Sequence, residues 1–271
     1  VDLIQAVVYG LVQGLTEFLP ISSSGHVLLV GELYRHDPGA GFTAVIQLGT
    51  VLAVLIYFWG DLVRALRAWS RSFVDPAVRA TPEARLGWAV LVGTVPVVVA
   101  GLLLEDQIDT VFRSAWIVAA MLIAVALFMG LAELVGKRQR DIEAVQVRDG
   151  LWVGLFQALA LIPGASRSGS TIMGALFLGM DRTAAARFSF LLSVPSVLGS
   201  GFYKLVKDRD ILMAEGVAPT VVATLVAFVS GLAAIAFLIS FLRRNSTLVF
   251  ILYRLALGAL ILVLVAKGIM D

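Results

Sequence analysis

Residues 115–132, AWIVAAMLIAVALFMGLA, pass without one charged side chain, and runs like this recur along the chain. Bilayer hydrocarbon is about 30 Å thick, so a helix needs roughly 20 apolar residues to cross it. Six stretches have that length, near 42–59, 86–104, 115–135, 183–206, 218–242 and 247–267. Only 15% of the 271 residues are charged, against about a quarter in a soluble domain. The fold expected is all-α and polytopic, one integral membrane domain over 1–271. Cysteine is absent, which excludes disulfides, thiolate metal sites and thiol nucleophiles. The first apolar run lacks a basic leader, so no cleavable signal peptide is expected. The net charge of +2 comes from arginines set between apolar runs. Membrane lipids are therefore expected partners and nucleic acid is not.

Two more apolar regions do not fit a simple span. Region 3–35 is broken near Pro20 to Gly25, and region 150–180 near Pro163 to Gly169. Each half is shorter than the roughly 20 residues of a span. Proline ends a helix and biases its predecessor away from helix. The expectation is two re-entrant helical hairpins, with two kinked full spans as the alternative. Non-helical backbone at membrane depth is tolerated where protein or a wet cavity surrounds it.

The two breaks are related. QGLTEFLPISSSGH (13–26) overlies QALALIPGASRSGS (157–170) at an offset of 144, matching the glutamine, a leucine and the Ser-Gly pair. FTAVIQLGTVLA (42–53) overlies FSFLLSVPSVLG (188–199) at 146. Each half reads as a broken hairpin followed by three spans, so 1–140 and 145–271 are read as two copies of one unit. An odd number of spans turns the second copy over, which makes an inverted-topology repeat with a shared midplane site.

Loops 60–85, 136–149, 180–187 and 243–246 fall on one side and hold 13 Lys and Arg; the other side, Arg113 included, holds 6. Basic loops stay cytoplasmic, so both termini are expected outside. In 60–85, Leu62, Leu66, Trp69 and Phe73 line one helical face and Arg64, Arg67 and Arg71 another. That reads as a helix lying in the inner interface, chiefly an orientation anchor.

An ionised group at the bilayer centre costs several kcal/mol, yet Glu17, His26 and Arg167 lie in or beside the breaks. A structural Glu–Arg lock would offset the cost but leaves the surrounding serines unexplained. The second break offers the hydroxyls of Ser166, Ser168, Ser170 and Thr171, backbone N–H groups near Gly164 and Gly169, and the Arg167 guanidinium. A helix starts there, and helix N-termini with glycine and hydroxyls hold phosphate, as does the planar fork of arginine. The first break offers Ser22, Ser23 and Ser24 as potential nucleophiles, with Glu17 and His26 as potential bases, acids or metal ligands. Gln13 lies one turn before Glu17 on the same face. His36, in a polar loop, is assigned nothing.

QGLTEFLPISSSGH together with PGASRSGST resembles the undecaprenyl pyrophosphate phosphatase family, also called bacitracin-resistance proteins. The likeness runs along essentially the whole chain, VIQLGTVLAVLIYF included. It implies a membrane hydrolase that removes the terminal phosphate of undecaprenyl diphosphate, returning the lipid carrier to cell-wall synthesis. It implies a divalent cation, Mg or Ca, and a bacterial plasma-membrane location with the site open to the periplasm. Glu17 and His26 take the acid/base or metal positions, and Ser23 the nucleophile position. Ser166, Arg167 and Thr171 take the phosphate-binding positions. Gln13, Ser22, Ser24 and Ser168 are added as substrate contacts from their place in the breaks. Many members carry a second Glu where this chain has Gln13, which leaves Glu17 as the main anionic ligand of the first break.

The mechanism expected is attack on the terminal phosphorus by Ser23, or by water that His26 activates. The alternative function is a transporter that moves a lipid phosphate with the same anion site. The expected partner is a polyprenyl diphosphate; a homodimer is left open.

Overall fold

The computed structural model describes residues 1–35, 39–109, 112 and 114–270; His36 and Arg113 lie outside them. Among the described residues every regular element is helical. In order they are α1 (Leu3–Phe18), α2 (Ser23–Tyr34), α3 (Gly39–Tyr57), α4 (Trp59–Arg71), α5 (Pro76–Arg79), α6 (Pro82–Leu103), α7 (Glu105–Asp109), α8 (Ala115–Val135), α9 (Val147–Leu159), α10 (Arg167–Phe177), α11 (Arg182–Lys207), α12 (Arg209–Glu215), α13 (Val217–Leu242) and α14 (Leu248–Ala266).

Five helices, α6, α8, α11, α13 and α14, are long and apolar enough to cross a membrane. They cover five of the six expected stretches. The sixth, 42–59, falls on α3, which meets α4 across an 80° bend; the pair passes the same test as one broken span. The chain is thus a multi-pass membrane protein. Its outer faces carry large apolar side chains such as Leu127, Phe128 and Phe237, which water would not tolerate as one continuous surface.

The helices approach closely through small residues, the packing that replaces the hydrophobic drive inside lipid. A Cβ on Gly14 of α1 would lie 2.0 Å from Ser230 Oγ on α13. On α9, a Cβ on Gly154 would lie 2.2 Å from the Gly93 carbonyl of α6. In both places a side chain would push two backbones apart. The most deeply placed helix is α10, buried from Ser168 to Leu176 and packed on α8, α9 and α11.

The basic loops meet at one end. Arg187 Nη2 donates to Asp61 at 2.8 Å, tying the start of α11 to α4. Glu133 accepts from Arg182 at 2.8 Å and from the Thr247 hydroxyl at 2.8 Å. Arg140 is paired with Asp149. The α4 segment is a helix as expected, with Leu66 on it and Phe73 just past its end exposed.

Candidate active site

Both breaks are built on the same local device. Each new helix begins after a serine with positive φ: Ser22 at φ 74° and Ser166 at φ 68°. Each of those hydroxyls accepts from a glycine N–H three residues on, at 3.4 Å from Gly25 and 3.1 Å from Gly169. A non-glycine residue held at such angles costs about 1–3 kcal/mol and persists where its surroundings over-determine it. The gain is placement. Ser23 and Arg167 become the first residues of α2 and α10, on helix ends whose dipoles favour an anion.

The two breaks touch. The Gly164 N–H donates to Ser24 Oγ at 2.9 Å, and Ser168 Oγ donates to the Leu19 carbonyl at 3.1 Å. Arg254 of α14, fully buried, bridges them. Its guanidinium donates to the carbonyls of Pro20 at 3.3 Å, Gly164 at 3.0 Å and Ala165 at 3.1 Å, and to Met121 and Leu122 of α8 at 3.3 and 3.2 Å. Broken helices leave carbonyls without partners where there is no water, and here one side chain satisfies those of both breaks.

The Glu17 carboxylate is the meeting point. Arg167 Nη2 donates to Oε1 at 2.9 Å; Ser23 Oγ and Gln13 Nε2 donate to Oε2 at 2.7 and 2.6 Å. Four candidate residues from α1, α2 and α10 therefore converge. Arg167 keeps Nε and Nη1 buried without an acceptor among the described residues. Gln13 likewise keeps its Oε1 buried and unpartnered.

The remaining candidates lie around that centre. His26 Nδ1 is 2.7 Å from the Ser22 carbonyl and Nε2 is 2.6 Å from the Tyr253 hydroxyl, with the two rings stacked. A carbonyl only accepts, so Nδ1 carries a proton, and in the neutral ring Nε2 would accept from the tyrosine. Both ring nitrogens are engaged, and the Ser23 hydroxyl donates to Glu17 instead. Ser22 pairs with Ser24 at 3.0 Å and Ser166 with Ser168 at 3.2 Å. Thr171 is fully buried; its hydroxyl meets the Arg167 carbonyl at 2.7 Å and Ser189 Oγ at 2.6 Å, so it braces the first turn of α10 from behind.

Glu17, Ser23, Ser24, Ser166 and Arg167 line a cavity of about 480 Å³. One wall is apolar, from Val97, Val98 and Leu102 of α6; the other is polar, from Ser196, Ser200 and Lys204 of α11. At the mouth Glu105 accepts from Lys207 Nζ at 2.7 Å and from the Tyr203 hydroxyl at 3.1 Å. The Lys207 hydrogen bond, helped by Tyr203 and by the Lys207 and Lys204 charges, outweighs desolvation and holds the Glu105 carboxyl below the usual range. A larger cavity of about 590 Å³ between α3, α12 and α13 contains none of the candidate residues.

Three residues of this region escaped the sequence reading. Arg254 carried a signal, a lone arginine within an apolar span. Tyr253 carried none. Gln157 was visible only as the repeat partner of Gln13.

The fold and site together define a multi-pass membrane protein with a buried carboxylate–guanidinium pair at the base of an amphipathic cavity. The chain matches the family described as bacitracin resistance protein BacA over residues 6–260, and it belongs to that family. It is 50% identical to an undecaprenyl-diphosphatase of Micrococcus luteus over 273 residues, covering 99% of each chain. It is 49% identical to one from Nocardioides, covering 99% of this chain and 98% of the relative. To undecaprenyl-diphosphatase 2 of Streptomyces coelicolor it is 47% identical, covering 98% and 96%.

Proposed function

We propose that this chain hydrolyses undecaprenyl diphosphate to the monophosphate and inorganic phosphate in the bacterial plasma membrane. The observation that carries the reading is Arg167. One nitrogen holds Glu17 while Nε and Nη1 remain buried without partners at the base of a cavity. Buried donors without acceptors are expensive, and a phosphate oxygen is the acceptor that suits them. The cavity is amphipathic, as a lipid diphosphate requires: the head reaches Arg167 and Ser166, and the prenyl chain leaves along α6.

Glu17 is the base and Ser23 the nucleophile. Ser23 Oγ already donates to Glu17 at 2.7 Å, within the reach a general base needs. As the proton passes to Glu17, Oγ bonds to the terminal phosphorus. The bond from that phosphorus to the bridging oxygen breaks, and the lipid monophosphate leaves with the electron pair. The departing monophosphate takes the proton from Glu17. Water, deprotonated by the regenerated carboxylate, then attacks the phosphorus. The bond to Ser23 Oγ breaks, Oγ takes the proton back and inorganic phosphate leaves. Arg167 and the positive N-terminal end of α10 stabilise the charge on the transferring group, the main source of catalysis in phosphoryl transfer. His26, held by Tyr253, fixes the carbonyl of Ser22 and with it the start of α2. Among the described residues no group of three His, Asp or Glu side chains converges. Both Glu17 oxygens already accept hydrogen bonds, from Arg167, Ser23 and Gln13. A hard divalent cation such as Mg²⁺ or Ca²⁺ would displace one of those donors to use Glu17, with Gln13 Oε1 and substrate phosphates as further ligands. Bound there, it would neutralise diphosphate charge.

The membrane arrangement is read as an inverted repeat of two re-entrant hairpins and six spans. Its support is paired packing: α1 lies on α13 as α9 lies on α6, and α3 lies on α13 as α11 lies on α6. The matching serine caps add to it. The ion pairs joining the basic loops support a cytoplasmic end there, with both termini outside. Glu105, Tyr203 and Lys204 at the opposite end support a cavity open to the periplasm. Phosphate release from farnesyl or C55 diphosphate by purified protein tests the function; no release with Mg²⁺ or Ca²⁺ would refute it.

A further inference from the structure

Gln13 and Gln157 occupy equivalent positions in the two related segments, 144 residues apart, but their amides meet different fates. Gln13 Nε2 donates to Glu17, one turn on. One turn after Gln157 stands Leu161, which has nothing to accept. Gln157 is fully buried, yet it lines the 480 Å³ cavity. Its Nε2 has no partner among the described residues, and its Oε1 receives only a 3.5 Å hydrogen bond from Ser196 Oγ. Ser196 and Ser200, one turn apart, continue this polar wall outward along α11. The reaction assigned to Ser23, Glu17 and Arg167 accounts for none of these groups.

We propose that Gln157 and Ser196 form a second phosphate subsite, which holds the lipid-linked phosphate of the substrate. The inference rests on the phosphatase reading of the same cavity. With the terminal phosphate seated on Arg167 and Ser23, the inner phosphate and its bridging oxygen lie next outward. The wall there holds the Gln157 amide N–H₂, buried without an acceptor among the described residues, and the Ser196 hydroxyl. That hydroxyl rests on the Ser193 carbonyl at 3.0 Å and would turn from it to a ligand; both groups are neutral. Neutral donors suit this position, because the inner phosphate must be gripped and then released as product. A second guanidinium would hold the product.

The test uses purified full-length protein in detergent with farnesyl diphosphate as substrate, and farnesyl monophosphate and orthophosphate as competitive inhibitors. Loss of one neutral hydrogen bond is worth about five- to tenfold in binding. Gln157→Leu is expected to raise KM for farnesyl diphosphate and Ki for farnesyl monophosphate by about that factor. Ki for orthophosphate, held by Arg167, should stay within about twofold. Ser196→Ala should give the same pattern at smaller size, and it covers the case in which Gln157→Leu fails to fold. Gln157→Glu, which sets a carboxylate against the phosphate, should weaken both farnesyl ligands further. An active wild type whose Gln157 and Ser196 variants bind all three ligands normally would overturn the subsite alone. So would orthophosphate weakened as much as the monophosphate, since that marks a general distortion. A wild type that releases no phosphate would instead remove the phosphatase reading, and the subsite with it.

Discussion

Replacing Arg167 with lysine separates its two tasks. The arginine holds Glu17 through Nη2, and its Nε and Nη1 are buried without an acceptor among the described residues. Its side chain is 13% exposed and that of Glu17 4%, so both tasks are performed out of water. Lysine keeps a positive charge, which can stay with Glu17, but it concentrates its donors at one point. It cannot grip the carboxylate and span a phosphoryl group at once. Hydrogen bonds involving a charged group are worth about 1.5–3 kcal/mol each. Two of them lost in the transition state amount to about 3–6 kcal/mol, or roughly 10²- to 10⁴-fold in kcat/KM. Stability should change little, because the buried carboxylate keeps a cation. Arg167→Ala leaves Glu17 with only Gln13 and Ser23, and breaking a buried pair costs about 3–5 kcal/mol. Phosphate release from farnesyl diphosphate and thermal unfolding, measured on the same detergent preparations, give both numbers. A lysine variant within about fivefold of wild-type kcat/KM would refute the reasoning, since the free nitrogens would then have no catalytic use. A lysine variant as destabilised as the alanine variant would place the arginine's role in the fold.

Ser23→Ala should abolish turnover, and a rapid acid quench of the wild type should trap phosphate on Ser23; near-normal turnover would leave attack by water as the route. Glu17→Gln removes the base, and kcat should fall by about 10²–10⁴-fold, with a value near wild type ruling out Glu17 as proton acceptor. Arg254→Met removes the donor that serves the Pro20, Gly164 and Ala165 carbonyls of the two breaks, and the melting temperature should fall further than for any active-site variant. Tyr253→Phe frees His26 Nε2 and should reduce kcat by less than about tenfold while KM stays constant; a loss as large as that of Glu17→Gln would show that His26 takes part in the chemistry.

The spans were legible because apolar length in lipid leaves little choice: every backbone group must be satisfied within its own helix. Five expected stretches coincide with helices to within a few residues. The bend after Tyr57 was not read as such, yet the switch from apolar α3 to the arginine-lined α4 marks it. In the site, Glu17, Ser23 and Arg167 were legible as polar groups too costly to leave unpartnered in an apolar chain. Their grouping, with Gln13 on the same carboxylate, depends on two segments 144 residues apart being folded together. Short-range spacing gave equal standing to His26 and Glu17 as partners of Ser23. In the structure Ser23 Oγ donates to Glu17, while Tyr253, on the last helix, takes the histidine nitrogen.

By itself, then, the amino-acid sequence determined a helical, multi-pass membrane chain with two polar interruptions, because hydrocarbon admits few alternatives. Tertiary structure alone decided which of these polar groups meet one another. Arg254 satisfies carbonyls of both breaks, Thr171 turns to Ser189, and Gln157 borders the cavity with its amide N–H₂ unpartnered among the described residues. Those outcomes depend on angstrom-scale contacts between distant helices, which spacing along one segment does not encode.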